Sequence, residues 1–190
     1  MKIRECAQAD AGRILGVIND SAQAYRGVIP DDCWHDPYMS AEELSREIDD
    51  GVRFHCVERE TDILGVMGIQ EKGEVALIRH AYVSAAHRGR GIGTMLLRHL
   101  EATTSRPLLI GTWAAASWAI SFYEKNGYQR VSESQKNELL RKYWSISDRQ
   151  IETSVVLADR RWRTTRRPPR LGRSPKPRRR RGAGSRGSRR

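Results

Sequence analysis

The chain has 190 residues, 38% of them hydrophobic, a length that suits one domain and excludes two large ones. Its formal charge of +11 is unevenly spread: residues 1–159 hold 19 Lys+Arg against 23 Asp+Glu, net −4, while residues 160–190 hold 15 Lys+Arg and no acid. The body is therefore mildly acidic, which excludes a basic nucleic-acid-binding core and confines any attraction for phosphate to the tail.

Residues 2–6 (KIREC) alternate and predict a short strand. Asp10 is placed to cap a helix whose apolar stripe is Ala11, Ile14, Leu15, Ile18 and Ala22. Residues 25–38 (YRGVIPDDCWHDPY) have no sustained period and form a loop with aromatic surface to place. Ser40 and Glu43 make a capping box, so a second helix, carrying Leu44 and Ile48, starts there and stops at Gly51. Residues 53–58, 63–70 and 75–83 read as an antiparallel meander. The run 87–105 is helical after its glycines, from near Gly91, with Ile92, Leu96, Leu97 and Leu100 inward, and a buried strand follows over 107–113. Residues 115–126 are helical with Ala115, Trp118, Ala119 and Phe122 sharing one face, and residues 128–131 form a strand. Residues 139–144 predict a short helix or irregular crossing, and the β-branched run 151–157 a last strand. The domain is expected to end near Asp159.

From Arg160 onward the composition turns to Arg, Pro, Gly and Ser, too poor in apolar residues to offset ordering entropy, so residues 160–190 predict a disordered basic tail. Such a run can contact nucleic-acid phosphates nonspecifically, with Trp162 as its one ring for stacking. Cys6, Cys33 and Cys56 lack C-x-x-C spacing, so neither a zinc site nor a disulfide framework is expected. No apolar stretch approaches the ~18 residues of a membrane helix. The segment MKIRECAQADAGR has no apolar signal core, so the expected location is cytoplasmic, without a membrane partner.

The segment VSAAHRGRGIGT, residues 83–94, joins a strand to a helix. Glycines at 89, 91 and 93 let the backbone approach a bulky anion, and the helix start presents unpaired N–H groups to it. Arg88 and Arg90 add charge. The spacing G-x-G-x-G fits neither the nucleotide-hydrolase loop nor the dinucleotide fingerprint.

Arg88-Gly89-Arg90-Gly91-Ile92-Gly93 resembles the R-x-x-G-x-G signature of the GNAT N-acetyltransferases, and residues 119–128 (AISFYEKNGY) resemble that superfamily's A-x-x-F-Y-x-K-x-G-F/Y element. The resemblance covers roughly residues 1–159. It implies an α/β (α+β) GNAT fold: a mixed, mostly antiparallel sheet of six or seven strands flanked by about four helices and splayed at the cofactor site. It implies acetyl-CoA as co-substrate and no metal. Residues from Arg88 through Ile92 and Gly93 to Thr94 would hold the pyrophosphate, and strand residues around Tyr82, Val83 and Trp113 the pantetheine arm.

The implied reaction is direct attack by an amine on the thioester, which requires one proton to leave the ammonium and another to reach the sulfur. Tyr123 stands at the family's general-acid position. The strand glutamate that many members use as base is absent, and His80 is the best titrating candidate there, with His55 and Glu71 as alternatives and Arg79 better suited to pair an acidic group. Ala116 replaces an asparagine that often bonds the cofactor arm. Tyr25 and Trp34, with His35 and Tyr38, lie in the loop expected to cover the acceptor, a small-molecule or peptide amine, and the acidic body weakly favours a cationic one. The alternative is a catalytically weak GNAT-fold acyl-CoA-binding module recruited to nucleic acid by the tail. Oligomeric state is not legible.

Overall fold

The computed structural model describes residues 1–165. Strands β1 (Lys2–Glu5), β2 (Arg53–Arg59), β3 (Asp62–Lys72), β4 (Val75–Val83), β5 (Leu108–Trp113), β6 (Gln129–Arg130) and β7 (Ser154–Ala158) form one sheet in the order β1-β2-β3-β4-β5-β7-β6. All neighbours are antiparallel except β4 and β5. The expected mixed GNAT-type sheet is present, with more than the four flanking helices the sequence suggested.

Helices α3 (Ile92–Thr103) and α4 (Ser117–Lys125) cover one face, where Leu96, Leu97, Leu100 and Ile120 pack on Ile78, Ile110 and Leu157. The other face is divided. Helices α1 (Ala11–Ala22) and α2 (Ala41–Asp49) cover its β1–β3 half through Ile14, Ile18 and Leu44. Helices α5 (Glu133–Tyr143), α6 (Asp148–Glu152) and α7 (Arg160–Thr165) cover the half built on β5 and β7, through Leu139, Leu140, Ile151 and Trp162.

Several expected boundaries move. Asp10 does not cap α1 with its side chain: its buried carboxylate accepts from Arg4 at 2.6 Å, from Arg13, and from the Ala7 amide at 2.8 Å. Ile48 is 42% exposed, since α2 buries only Leu44. Residues 85–87 add a 3-10 turn before the glycines, while α3 begins at Ile92, next to Gly91 as expected. The short helix expected over 139–144 is the end of α5, which starts at a capping box of Ser132 and Gln135. A second box, Ser147 with Gln150, starts α6 and keeps residues 151–153 out of the strand. Both helix starts carry an S-x-x-Q signal, and only the second lies beside the β-branched run 151–157.

The packed body also runs past Asp159. The Asp159 carboxylate accepts from the Trp162 amide at 3.2 Å and Arg161 donates to the Thr104 carbonyl at 2.6 Å. Trp162, expected to be free for base stacking, is only 5% exposed. The disorder and nucleic-acid expectations otherwise fall on residues 166–190, outside the described residues. Among the described residues, no helix is long and apolar enough to cross a membrane and no cluster of metal-ligating side chains occurs.

Candidate active site

Two irregularities in β4 create the site. The parallel pairing of β4 with β5 covers only Ala76–Leu108, Leu77–Leu109 and Ile78–Ile110, although both strands continue beyond it. Past that point they separate, and a cavity of about 690 Å³ opens between them. The second irregularity is a bulge. Val66 pairs Tyr82 and Gly68 pairs Arg79, so Met67 alone opposes both His80 and Ala81.

Strict alternation along β4 would send Arg79 and His80 to opposite faces. The bulge, with His80 at φ 49°, puts both on the α1–α2 side and keeps Ala81 and Val83 on the α3–α4 side. Holding a non-glycine residue in that left-handed region costs roughly 1 kcal/mol. Nothing in the periodicity of residues 75–83 announced it. Gly68 permits it, because a Cβ there would lie 2.7 Å from Val52 and 3.2 Å from the Arg79 carbonyl oxygen.

The α3–α4 side of the cavity is made largely of backbone. Gly89 and Gly91 take φ of 76° and 77°, and a Cβ on either would meet nothing within 4 Å, so the space beside them is open. Gly91 begins α3 with no side-chain cap, which leaves the first N–H groups of the helix without intrahelical partners. Gly93 has a different reason from the one expected: its Cβ would sit 3.2 Å from the Phe122 ring, so this glycine lets α4 approach α3. Arg88 lines the cavity and donates to the Ser21 carbonyl at 2.9 Å. Ser21 also donates to the Val83 carbonyl at 2.9 Å, which ties α1 to the end of β4.

Tyr123 lines the same side. Its ring packs edge-on between Phe122 at 4.9 Å and Tyr128 at 6.0 Å, and its hydroxyl bonds to no described residue. Burial, then the neighbouring Tyr25, push its phenol well above the ordinary value, so it holds its proton throughout the neutral range.

The opposite side is made of side chains. His80 Nε2 lies 3.1 Å from Glu47 Oε2, and the His80 ring stacks on Phe54 at 5.7 Å. Arg79 reaches Glu47 at 2.7 Å and donates to Gln70 at 2.8 Å, so it pairs an acid of the fold. Burial raises the Glu47 carboxyl, but His80 and Arg79 outweigh it and hold the group below its ordinary value. Tyr25 and Tyr38 stack at 6.1 Å, and each meets the Tyr82 ring edge-on at 6.4 Å. Burial pushes the Tyr25 hydroxyl up to about 12. Trp113 donates to the Tyr38 hydroxyl at 3.4 Å, and Trp118 comes within 5.3 Å of Tyr25.

The sequence-predicted residues Tyr25, His80, Tyr82, Val83, Arg88, Gly89, Gly91, Ile92, Gly93, Thr94 and Tyr123 all line this cavity. Arg90 and Trp34 do not: Arg90 faces solvent, and Trp34 packs behind Tyr38 at 5.4 Å with Arg26 over its ring. His55 and Glu71 also lie elsewhere, the first against His99 and the second paired with Arg106. Ala116 is fully buried and lines nothing. Sequence reasoning missed Glu47, whose helix gave no sign of facing β4, and Trp144, Ile146 and Gln150. Of the stripe expected on α4, Trp118, Ala119 and Phe122 line the cavity, while Ile120 and Tyr123 are the helix's buried pair.

The family profile described as "Acetyltransferase (GNAT) domain" matches residues 9–142. The chain belongs to the GNAT acetyltransferase family. This GNAT domain is accordingly an acyltransferase. Its fold is similar to that of a GNAT-family acetyltransferase from Staphylococcus aureus Mu50, with TM-score 0.63, 15% identity, and 83% of this chain and 97% of that one covered. A PaiA N-acetyltransferase from Thermoplasma acidophilum, solved in complex with coenzyme A, gives TM-score 0.62 and 16% identity over 83% and 97%. An N-acetylglutamate synthase from Neisseria gonorrhoeae, complexed with coenzyme A and N-acetyl-glutamate, gives 0.58 and 18% over 84% of this chain and 35% of that one.

Proposed function

We propose that the protein transfers an acetyl group from acetyl-CoA to a primary amine by direct attack within a ternary complex. The observation that carries this reading is the slot between β4 and β5, with unpaired amides of α3 and an unbonded phenol on one side and an imidazole on the other. The open space beside Gly89 and Gly91 suits a pyrophosphate, whose charge the helix start and Arg88 favour. Gly91 to Thr94 would hold that group, and Tyr82 and Val83 would line the arm.

Bound acetyl-CoA supplies an activated acyl carbon and a thiolate leaving group. His80, backed by Glu47, accepts the proton that the ammonium loses, which frees the nitrogen lone pair to form the amide bond. Tyr123 gives its proton to the sulfur as the C–S bond breaks. The two groups stand on opposite sides of the slot, so neither has to serve both proton transfers.

A thermal-unfolding titration of the full chain with acetyl-CoA tests the donor site, since a ligand at 100 times its Kd adds about 2.7 kcal/mol to stability. A saturable rise in midpoint, with thiol release that requires an added amine, is expected. An unchanged midpoint at millimolar acetyl-CoA would overturn the reading.

A further inference from the structure

The cavity continues through the slot to the side away from the helix amides, where it is lined by residues far apart in the chain. Leu140, Trp144 and Ile146, from α5 and the turn after it, line it together with Tyr25, Tyr38 and Trp113. Trp144 sits where β5 has no side chain: a Cβ on Gly111 would meet its ring at 3.4 Å and Leu140 at 3.5 Å. Gly111 is thus a notch that seats the Trp144 indole against the strand. The ring is only half buried and belongs to the cavity wall.

The charges around this lobe matter as much as its rings. Among the described lining residues there is no aspartate or glutamate. Behind the wall, the Glu47 carboxylate lies 2.7 Å from Arg79 and 3.1 Å from His80, and Arg79 is in turn engaged by Glu47 and Gln70. A second ammonium on the acceptor would enter without a counter-charge, and a carboxylate would meet Arg79 already engaged by Glu47 and Gln70, and Arg88, which donates to the Ser21 carbonyl and is assigned above to the pyrophosphate; burying either charge unpaired is strongly unfavourable. The rings, by contrast, can face one ammonium during approach and bury an apolar body behind it.

From this we infer that the acceptor is a primary amine on an aromatic or large apolar body, bearing no second charged group. The inference rests on the acyl-transfer reading and names the substrate class of that same site. It separates such amines from polyamines, aminoglycoside-like cations and acidic amino acids. The chemistry is shared by free arylalkylamines and by uncharged peptides with a bulky apolar first residue.

The test measures acetyl-CoA-dependent thiol release by the full chain with tryptamine, an N-terminal phenylalanine tripeptide amide, spermidine and glutamate. Either of the first two should exceed spermidine and glutamate by at least about tenfold in kcat/KM, and the better of them identifies the source. Trp144→Ala should raise KM for that substrate about tenfold with little change in kcat, while Trp144→Phe recovers most of the loss. The acetyl-CoA-induced rise in midpoint confirms that each variant is folded. Equal or better use of spermidine or glutamate overturns the inference and leaves acyl transfer standing, as does a normal acetyl-CoA response with no turnover of either apolar amine. Absence of any response to acetyl-CoA sinks the underlying reading instead.

Discussion

The two sides of the slot between β4 and β5 are built in opposite ways. On the donor side, one contiguous segment from Val83 to Thr94 supplies backbone amides, two left-handed glycines and an open space. On the acceptor side, side chains from α2, the loop after α1, β4, β5 and the α5–α6 turn meet although the sequence separates them by up to about 120 positions. A site made of main chain tolerates changes in its neighbours but not in its own glycines. A site made of side chains depends on every element that carries one.

The contrast should be broken most completely by Gly91→Glu, which puts a side chain at φ 77° and a carboxylate where the anion belongs. Acetyl-CoA binding should weaken about a thousandfold, ~4 kcal/mol, read as a lost midpoint rise in the thermal titration. Chemical denaturation should place the variant's own stability within about 2 kcal/mol of the parent.

Next in size is a change far from the cavity. Trp162→Ala empties a position buried under the half of the sheet that carries α5 and α6, and should cost about 3 kcal/mol of stability. Its effect on activity should be larger for KM of the amine than for acetyl-CoA binding, because it loosens only the acceptor-side scaffold. Equal weakening of both ligands would show that the two sides are not independent.

Tyr123→Phe should lower kcat by about a hundredfold, ~2.7 kcal/mol, with acetyl-CoA binding intact. A loss below about tenfold would reassign Tyr123 to ring packing on the cofactor arm. Because burial raises its phenol, kcat at saturating amine should not fall between about pH 8 and pH 10 in the parent enzyme. A fall with a midpoint near 8 would move the acid elsewhere.

The smallest effect sharpens the acceptor side alone. Glu47→Gln keeps the shape beside His80 and Arg79 but removes the charge that orients the imidazole, and kcat should drop about fivefold, ~1 kcal/mol. Glu47→Asp should recover part of it, and the acetyl-CoA midpoint shift should not move.

What could be read in advance follows the same division. The glycine loop and the succession of strands were legible because each depends on neighbours within a dozen residues, where turn chemistry and periodicity act, whereas Tyr123 was named through the family motif. The capping boxes at Ser132 and Ser147 are equally local, and the second keeps residues 151–153 out of the last strand. His80 was visible as a titrating residue, but its partner Glu47 was not, since only the bulge opposite Met67 turns both Arg79 and His80 toward α2.

The sequence by itself therefore determined the family and the glycine-rich turn from β4 into α3, because contiguous backbone carries that information, and the family motif singled out Tyr123. The tertiary structure alone decided three things: which face His80 takes, that Trp144 fills the notch at Gly111, and that Trp162 belongs to the core. A one-residue slip in strand register reverses the direction of side chains, and packing across the sheet joins segments that no local period connects.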